Sequence, residues 1–366
     1  MFIYSTVILD SKGRIKMRFE ILAKTCEELS EKDSRNEKIK ITSNFLKGLD
    51  RDDLRRACRM IIGRPFPRSS QSSTNLSKKS ILNALSRSLK TEKYDEYYAE
   101  YGDFGEVIRR LMMEARTKQS VLTGEKVDLE SIQAFLDKVS RIGGEGSRKK
   151  RDNLADVKFS QISPLEGKYL AKLLLGRSRH GISDGIVVHA IAEAWGRPVE
   201  RVRRACLLTG DLGEAATMSK MGKLDQAEIE YQRPFLPMLA EMADEAADVV
   251  EEMGHCLCEE KLDGVRIQVH RGKNTELYTR NLNRVTEKFL DVVEEFEDFD
   301  EEFIAEGELI AERDGSVLPF QRLMRRFREK ADENLVKEIP VRIYFFDLLK
   351  LGEDSLVDEE LRDRGA

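Results

Sequence analysis

Residues 258–271 read CEEKLDGVRIQVHR, with one lysine set between acidic neighbours and followed by Asp-Gly and an arginine. Glu259 and Lys261 stand at i and i+2, so in an extended chain both side chains point the same way. That is the simplest way to aim a hydrogen-bond acceptor and an amine at one ligand. Singly, Glu259, Lys261 and Arg266 read as surface charges. As the set Glu-x-Lys-x-Asp-Gly-x-Arg they point to a site. A second set follows at Glu306-Gly307-Glu308. Two carboxylates on one strand face, among Ile304, Leu309 and Ile310, are costly unless they are solvated, paired or bound to a cation. A Mg²⁺ or ribose contact fits them.

The elements that must hold these residues are strands and turns. Val265, Ile267 and Val269 alternate with Arg266, Gln268 and His270 at the period of a half-buried strand, and the same reading takes Glu259 and Lys261 as extended. Asp263-Gly264 supplies turn chemistry before it. FIAEGELIAERDGSVLPF reads as strand, Asp-Gly turn at 314–315 and second strand, VRIYFFDLL as another strand, and PFQRLMRRFREK between them as a basic helix. Phe346 sits beside Asp347 in that last strand. Arg280 lies in YTRNLNRVT, where it could cap a turn.

The net charge of −5 hides a division. Residues 1–220 hold 42 Lys+Arg against 30 Asp+Glu, net +12, and residues 221–366 hold 20 against 37, net −17. A basic half suits a polyanion. It reads as almost wholly helical, and it repeats: 34–64 lies ungapped over 147–177, each starting Ser-Arg and ending Gly-Arg, and GDFGE (102–106) returns as GDLGE (210–214). Asp103 and Asp211 are candidate helix caps whose neighbouring amides could face a phosphate. GGEGSRKKRD puts Ser147, Arg148, Lys149, Lys150 and Arg151 at a helix start, and Arg64, Arg177 and Arg179 sit where each copy's loop emerges. Pro234 and Pro237 mark a change of character, with a boundary near residue 225. Five scattered cysteines suit a reducing cytoplasm; His255-Cys256-x-Cys258 is half a metal site with no visible other half. No apolar run approaches membrane-spanning length.

Taken together, the motifs resemble those of ATP-dependent DNA ligases of the archaeal and eukaryotic replicative type. EEKLDGVR is similar to motif I of nucleotidyltransferases, YTRNLNRVT to motif Ia, IAEGELIAE to motif III and YFFDLLKLGEDSL to motif IIIa. The basic half resembles the all-helical DNA-binding domain of this family, duplication included. The resemblance covers residues 17–366 and implies a multidomain chain: 1–16 an N-terminal extension, 17–225 an all-α DNA-binding domain with internal duplication, and 226–366 an incomplete α+β nucleotidyltransferase (adenylation) domain.

By that resemblance Lys261 is the nucleophile that becomes AMP-linked, with Arg266 and Mg²⁺ lowering its pKa. Glu259 accepts from the adenine amino group, Arg280 contacts the sugar and nick, Glu308 contacts ribose and metal, and Phe346 stacks on the base. Ser147, Arg148, Lys149, Arg64, Arg177 and Arg179 become candidate DNA contacts. The implied cofactors are ATP and Mg²⁺. The implied partner is nicked duplex DNA, with a sliding clamp as a second, for a cytoplasmic monomer active in replication, repair and recombination. Two departures stand out: Leu262 replaces the aromatic that usually follows the lysine, and the sequence stops at Ala366, before motifs IV, V and VI and the oligonucleotide-binding barrel. The 366 residues are therefore expected to seal nicks poorly. The alternatives are a non-catalytic nick- or duplex-binding module, and a relative of RNA ligases or guanylyltransferases.

Overall fold

The computed structural model describes residues 7–9, 15–116, 127–177, 181–238, 242–329 and 332–364, and these divide into two compact units. One comprises the chain to Cys206 with Asp211–Ala227; the other comprises Leu207–Gly210 with the chain from Glu228.

The first unit opens on a short antiparallel pair, β1 (Val7–Leu9) and β2 (Ile15–Met17), and continues as twelve helices among the described residues. They are α1 (Phe19–Ser30), α2 (Arg35–Lys47), α3 (Arg51–Met60), α4 (Lys78–Leu85), α5 (Tyr94–Tyr101), α6 (Phe104–Arg116), α7 (Leu129–Arg141), α8 (Ser147–Gln161), α9 (Pro164–Leu174), α10 (Asp184–Trp195), α11 (Val199–Thr209) and α12 (Leu212–Met221). The repeat in the sequence is a repeat in structure. Asp50 caps α3 by accepting from the Asp53 amide, and Ser163, at the matching position, caps α9 with a full capping box to Glu166. Both helices end in the same left-handed glycine, Gly63 at φ 75° and Gly176 at φ 64°. The next amides, of Arg64 and Arg177, reach back to the Arg59 and Lys172 carbonyls, each at 3.0 Å.

The two copies hold each other. α3 packs on α12 and α9 on α6, while α2 packs on α10 and α8 on α4, so the partners of one copy come from the other. The helices of one copy therefore bury their apolar faces against those of the other, so the duplication builds a shared core.

The second unit is a twisted antiparallel sheet. A helix α13 (Ala246–Met253) that buries no residue precedes it. The strands are β3 (Val265–Arg271), β4 (Thr275–Thr279), β5 (Phe303–Arg313), β6 (Ser316–Val317), β7 (Val341–Leu351) and β8 (Asp354–Ser355), in the order β4-β3-β5-β7-β8 with β6 paired to β5. The Asp314-Gly315 turn between β5 and β6 has both residues at positive φ, 50° and 74°, as a tight hairpin needs. Ile267, Val269, Leu277, Ala305 and Leu309 face a core closed by Phe289 and by Val292 of α14 (Leu290–Glu294), Leu323 of α15 (Phe320–Arg328) and Leu335 of α16 (Glu333–Glu338). A last short helix, α17 (Leu361–Arg364), follows β8.

The opposite face is polar, and the register of the strands sets its rows. Arg266 lies across from Glu308, and Gln268 from Glu306 on β5 and Tyr278 on β4. Chain just after the unit boundary is fastened over part of this face: the Gln268 amide accepts from the Phe235 backbone N–H and donates to its carbonyl, and the Tyr278 hydroxyl donates to the Gln232 carbonyl.

Candidate functional site

The strand begins at Val265, where the alternation begins, but residues 255–263, with Glu259 and Lys261, have neither helix nor strand. The residue between is Gly264. Its Cα lies so close to β5 that an added Cβ would collide with the Leu309 carbonyl oxygen and the Ile310 side chain, so the chain passes over β5 there in place of pairing with it. Glu259 and Lys261 are both exposed on this segment.

The approach of Gly264 has a chemical product. Its backbone N–H donates to the Glu308 carboxylate, on which Lys261 and Arg266 also act as nearby positive charges and Asp263 as a negative one. Burial raises the Glu308 pKa above the ordinary carboxylate value, and the amide and the two cations only partly counter that. The structure thus brings Lys261, Asp263, Gly264, Arg266 and Glu308 to one place.

Glu306 has a different task. It is 3% exposed, and the Arg266 guanidinium binds it through two nitrogens, Nε at 3.1 Å, while Gln268 Nε2 donates to it at 3.1 Å. The paired carboxylates are therefore divided: one anchors an arginine and the other faces the lysine. Gly307 separates them because Ile343 and the Tyr344 carbonyl of β7 leave no room for a Cβ on its other side. Phe346 does not take a place in the regular ladder. The register between β5 and β7 skips it, and the Arg266 guanidinium carbon lies 5.3 Å from its ring centroid. Arg280 is exposed just beyond β4, and no described contact ties it or Glu259 to this cluster. Local alternation marks Gln268 only as a polar position, yet it joins the fastened chain, Glu306 and through it Arg266. Among the described residues no three His, Cys, Asp or Glu side chains gather as a metal cage. Mg²⁺ needs none, since one or two carboxylates and the substrate's phosphates suffice, and Glu308 with Asp263 beside it fits that pattern.

On the helical unit, Gly146 at φ 71° starts α8 and leaves Arg148 and Lys149 exposed on its first turn. Arg148 borders two open clefts. One, of about 400 Å³, is also lined by Ser77, Lys79, Ser80 and Arg151; the other, of about 310 Å³, by Arg87, Gly146, Lys149 and Asn153. Ser147 is held by Arg151 Nη2 at 3.2 Å. Arg64 has a partner of its own, since its guanidinium grips both oxygens of Asp184 at 2.5 and 2.7 Å. Arg177 is exposed, and Arg179 lies outside the described residues.

In the Gly-Asp-x-Gly-Glu pair both aspartates cap their helices and tie the two copies together. Asp103 accepts from the Glu106 amide and pairs with Lys172 at 3.2 Å; Asp211 accepts from the Gly213 amide and pairs with Arg59. Arg59 and Lys172 are equivalent positions of the repeat, so each copy's aspartate is bound by the other copy's cation. The second glycines, Gly105 and Gly213, let the helices touch: a Cβ would lie 2.8 Å from the Lys168 carbonyl oxygen in one and 2.5 Å from that of Arg55 in the other.

Two family models match, the DNA ligase N terminus over residues 18–192 and the ATP dependent DNA ligase domain over residues 237–366. A DNA ligase 1 from Korarchaeum cryptofilum is 33% identical over 352 residues, covering 95% of this chain and 63% of that protein; a DNA ligase from Archaeoglobus fulgidus is 33% identical, covering 95% and 64%. The chain thus spans under two thirds of the length of these curated relatives. Among solved structures, the ligase domain of M. tuberculosis LigD overlaps 29% of this chain and 33% of its own at 25% identity and a TM-score of 0.25.

Proposed function

Because the chain belongs to the ATP-dependent DNA ligases, we propose that it takes part in joining a 5′-phosphate to a 3′-hydroxyl at a nick in duplex DNA, through an AMP group carried on Lys261. The observation that supports this reading is the gathering of Lys261, Arg266 and the Gly264 amide about the Glu308 carboxylate.

In the first step the neutral Lys261 amine attacks the α-phosphorus of ATP, the bond to pyrophosphate breaks and the amine's proton passes to solvent. Arg266, held by Glu306, which Gln268 also binds, places a fixed positive charge beside the reacting phosphate. Phe346 offers its ring to the adenine, Glu259 accepts from the adenine amino group, and Glu308 and Arg280 hold the sugar. Glu308, with Asp263, would also hold Mg²⁺, which supplies charge neutralisation at the phosphates. In the second step an oxygen of the 5′-phosphate attacks the AMP phosphorus and Lys261 leaves, regaining a proton. In the third the 3′-hydroxyl attacks the 5′-phosphorus, AMP departs and the hydroxyl proton is lost to water.

The helical unit holds the duplex. Arg148 and Lys149 with Lys79 and Arg87 around the start of α8 suit phosphate contacts, Ser147 supports them, and Arg177 with Arg179 offers a second place along the backbone. Arg64, committed to Asp184, shapes its loop and contributes less to DNA. Nicked duplex is the partner, with a sliding clamp as a second; the chain acts as a cytoplasmic monomer. Among the described residues no helix is long and apolar enough to cross a membrane.

The test is incubation of the chain with ATP labelled at the α-phosphate and Mg²⁺, followed by a denaturing gel and peptide mapping. Label on Lys261, absent in Lys261→Ala while duplex binding persists, is the expected result. Label elsewhere, or undiminished label in that variant, overturns the assignment. Sealing itself is read on a nicked duplex with one labelled strand.

A further inference from the structure

We propose that Cys256 and Cys258 form an oxidisable dithiol that closes to a disulfide and thereby displaces Glu259 and Lys261. Three of the five cysteines, Cys26, Cys58 and Cys206, are 2%, 0% and 5% exposed, whereas Cys258 is exposed and Cys256 half-buried. The accessible pair stands at i and i+2, with the two thiols within hydrogen-bonding reach of each other.

What surrounds the pair makes closure cheap. Residues 255–263 are in neither helix nor strand, so bringing the two sulfurs together breaks no backbone ladder. The helix on their N-terminal side, α13, buries no residue, and Leu257 between them is 62% exposed, so no core packing resists the movement. On the C-terminal side the chain is anchored, because Gly264 is pressed against β5 and β3 begins one residue later. Closure fixes the backbone at Cys258, the residue directly before Glu259, and so resets the direction in which the short stretch carrying Glu259 and Lys261 runs to the anchored Gly264.

The chemistry needs one oxidant, a peroxide. The more exposed Cys258, as its thiolate, attacks a peroxide oxygen of H₂O₂; the O–O bond breaks, and after proton transfer one water is released and a sulfenic acid remains. The Cys256 sulfur then attacks the sulfenic sulfur, the S–O bond breaks and a second water leaves. Two thiols and one peroxide give one disulfide and two waters, and a thiol reductant restores the starting state.

The coupling to Lys261 rests on the reading above; the disulfide itself does not. The full chain is treated with H₂O₂, the remaining thiols are alkylated with iodoacetamide, and the peptides are mapped without reduction. A peptide spanning 256–258 that loses two hydrogens, resists alkylation and reverts with dithiothreitol is expected. Cys256→Ser should stop at the sulfenic acid. Full alkylation of both residues after peroxide, or sulfinic acid as the main product, overturns the proposal. In the same maps, acylation of Lys261 by an amine-reactive ester is compared between the two redox states, together with AMP labelling. A change in both, with AMP labelling down about tenfold as expected for a displaced nucleophile, supports the coupling. Closure with unchanged acylation of Lys261 overturns it. Absence of AMP label in the reduced chain instead removes the lysyl-AMP reading and leaves the disulfide result standing.

Discussion

Replacing Glu306 separates a buried anchor from a decorative ion pair. The carboxylate receives Arg266 Nε, a second Arg266 nitrogen and Gln268 Nε2, at a residue 3% exposed. Three bonds to a charged group total about 4.5–9 kcal/mol at ~1.5–3 kcal/mol each, an upper bound before the desolvation of the carboxylate is subtracted. The Arg266 side chain is 25% exposed, so water recovers part of its loss. Glu306→Ala should then cost about 2–4 kcal/mol, and Glu306→Gln, which keeps the shape and one acceptor oxygen, about 1–2 kcal/mol. With two units in the chain a single unfolding free energy is poorly defined, so the assay is amide hydrogen exchange in β3 and β5. A loss of about 3 kcal/mol appears as roughly a hundredfold faster exchange there. AMP labelling of Lys261 should fall further in Glu306→Ala than in Glu306→Gln, since Arg266 is no longer aimed. Exchange in β3 within about twofold of wild type in both variants would refute the anchor.

Gly105→Ala and Gly213→Ala should each destabilise the helical unit by about 1–3 kcal/mol by overpacking, measured as a lower urea midpoint. Gly213→Ala should be the worse, because the three nearest atoms its Cβ would meet are all Arg55 backbone, whereas for Gly105 two of the three belong to the yielding Lys172 side chain. Arg148→Ala should lower the slope of log affinity against log salt for duplex DNA by about 1, and Arg64→Ala by much less. His270 is fully buried, and burial depresses its pKa to about 3 from 6.5. The unfolded state therefore takes up the proton first, and stability falls as pH drops below about 6.5, by about 2 kcal/mol at pH 5; His270→Gln should be flatter over that window by this amount.

Much of the sheet unit was legible because alternation reports directly on two faces: Ile267 and Val269 went to the core, Gln268 and His270 away from it. The pattern did not show that the second face is itself covered, and so did not show that His270 is wholly buried or that Gln268 is a hub. Nor does a basic helix disclose which arginine turns inward. Arg326 is 0% exposed and donates to the Ile339 and Lys288 carbonyls and to Asp291, while Arg322 and Arg325 meet Glu338 outside. These depend on contacts remote in sequence, to which local periodicity is blind. The duplication was legible as spacing, yet its exchange of partners was not. Only the fold shows that the aspartate of one Gly-Asp-x-Gly-Glu copy meets the cation of the other.

The glycines beside the charged residues show why the chemistry and the packing are hard to separate. Asp263-Gly264 looks like turn chemistry, but Gly264 does not occupy a left-handed conformation; it is there because β5 is too close for a Cβ, and that closeness delivers its amide to Glu308. Gly307 does the corresponding job on the other side of β5, allowing β7 to approach while Glu306 and Glu308 both project to the polar face. A side chain at either position would push a strand or a turn outward by the width of a methyl group, and for the proposed AMP transfer a displacement of that order is enough to cost about a hundredfold in rate. The charged residues are the groups proposed to meet the nucleotide, and the glycines set the distances between the strands and turns that carry them.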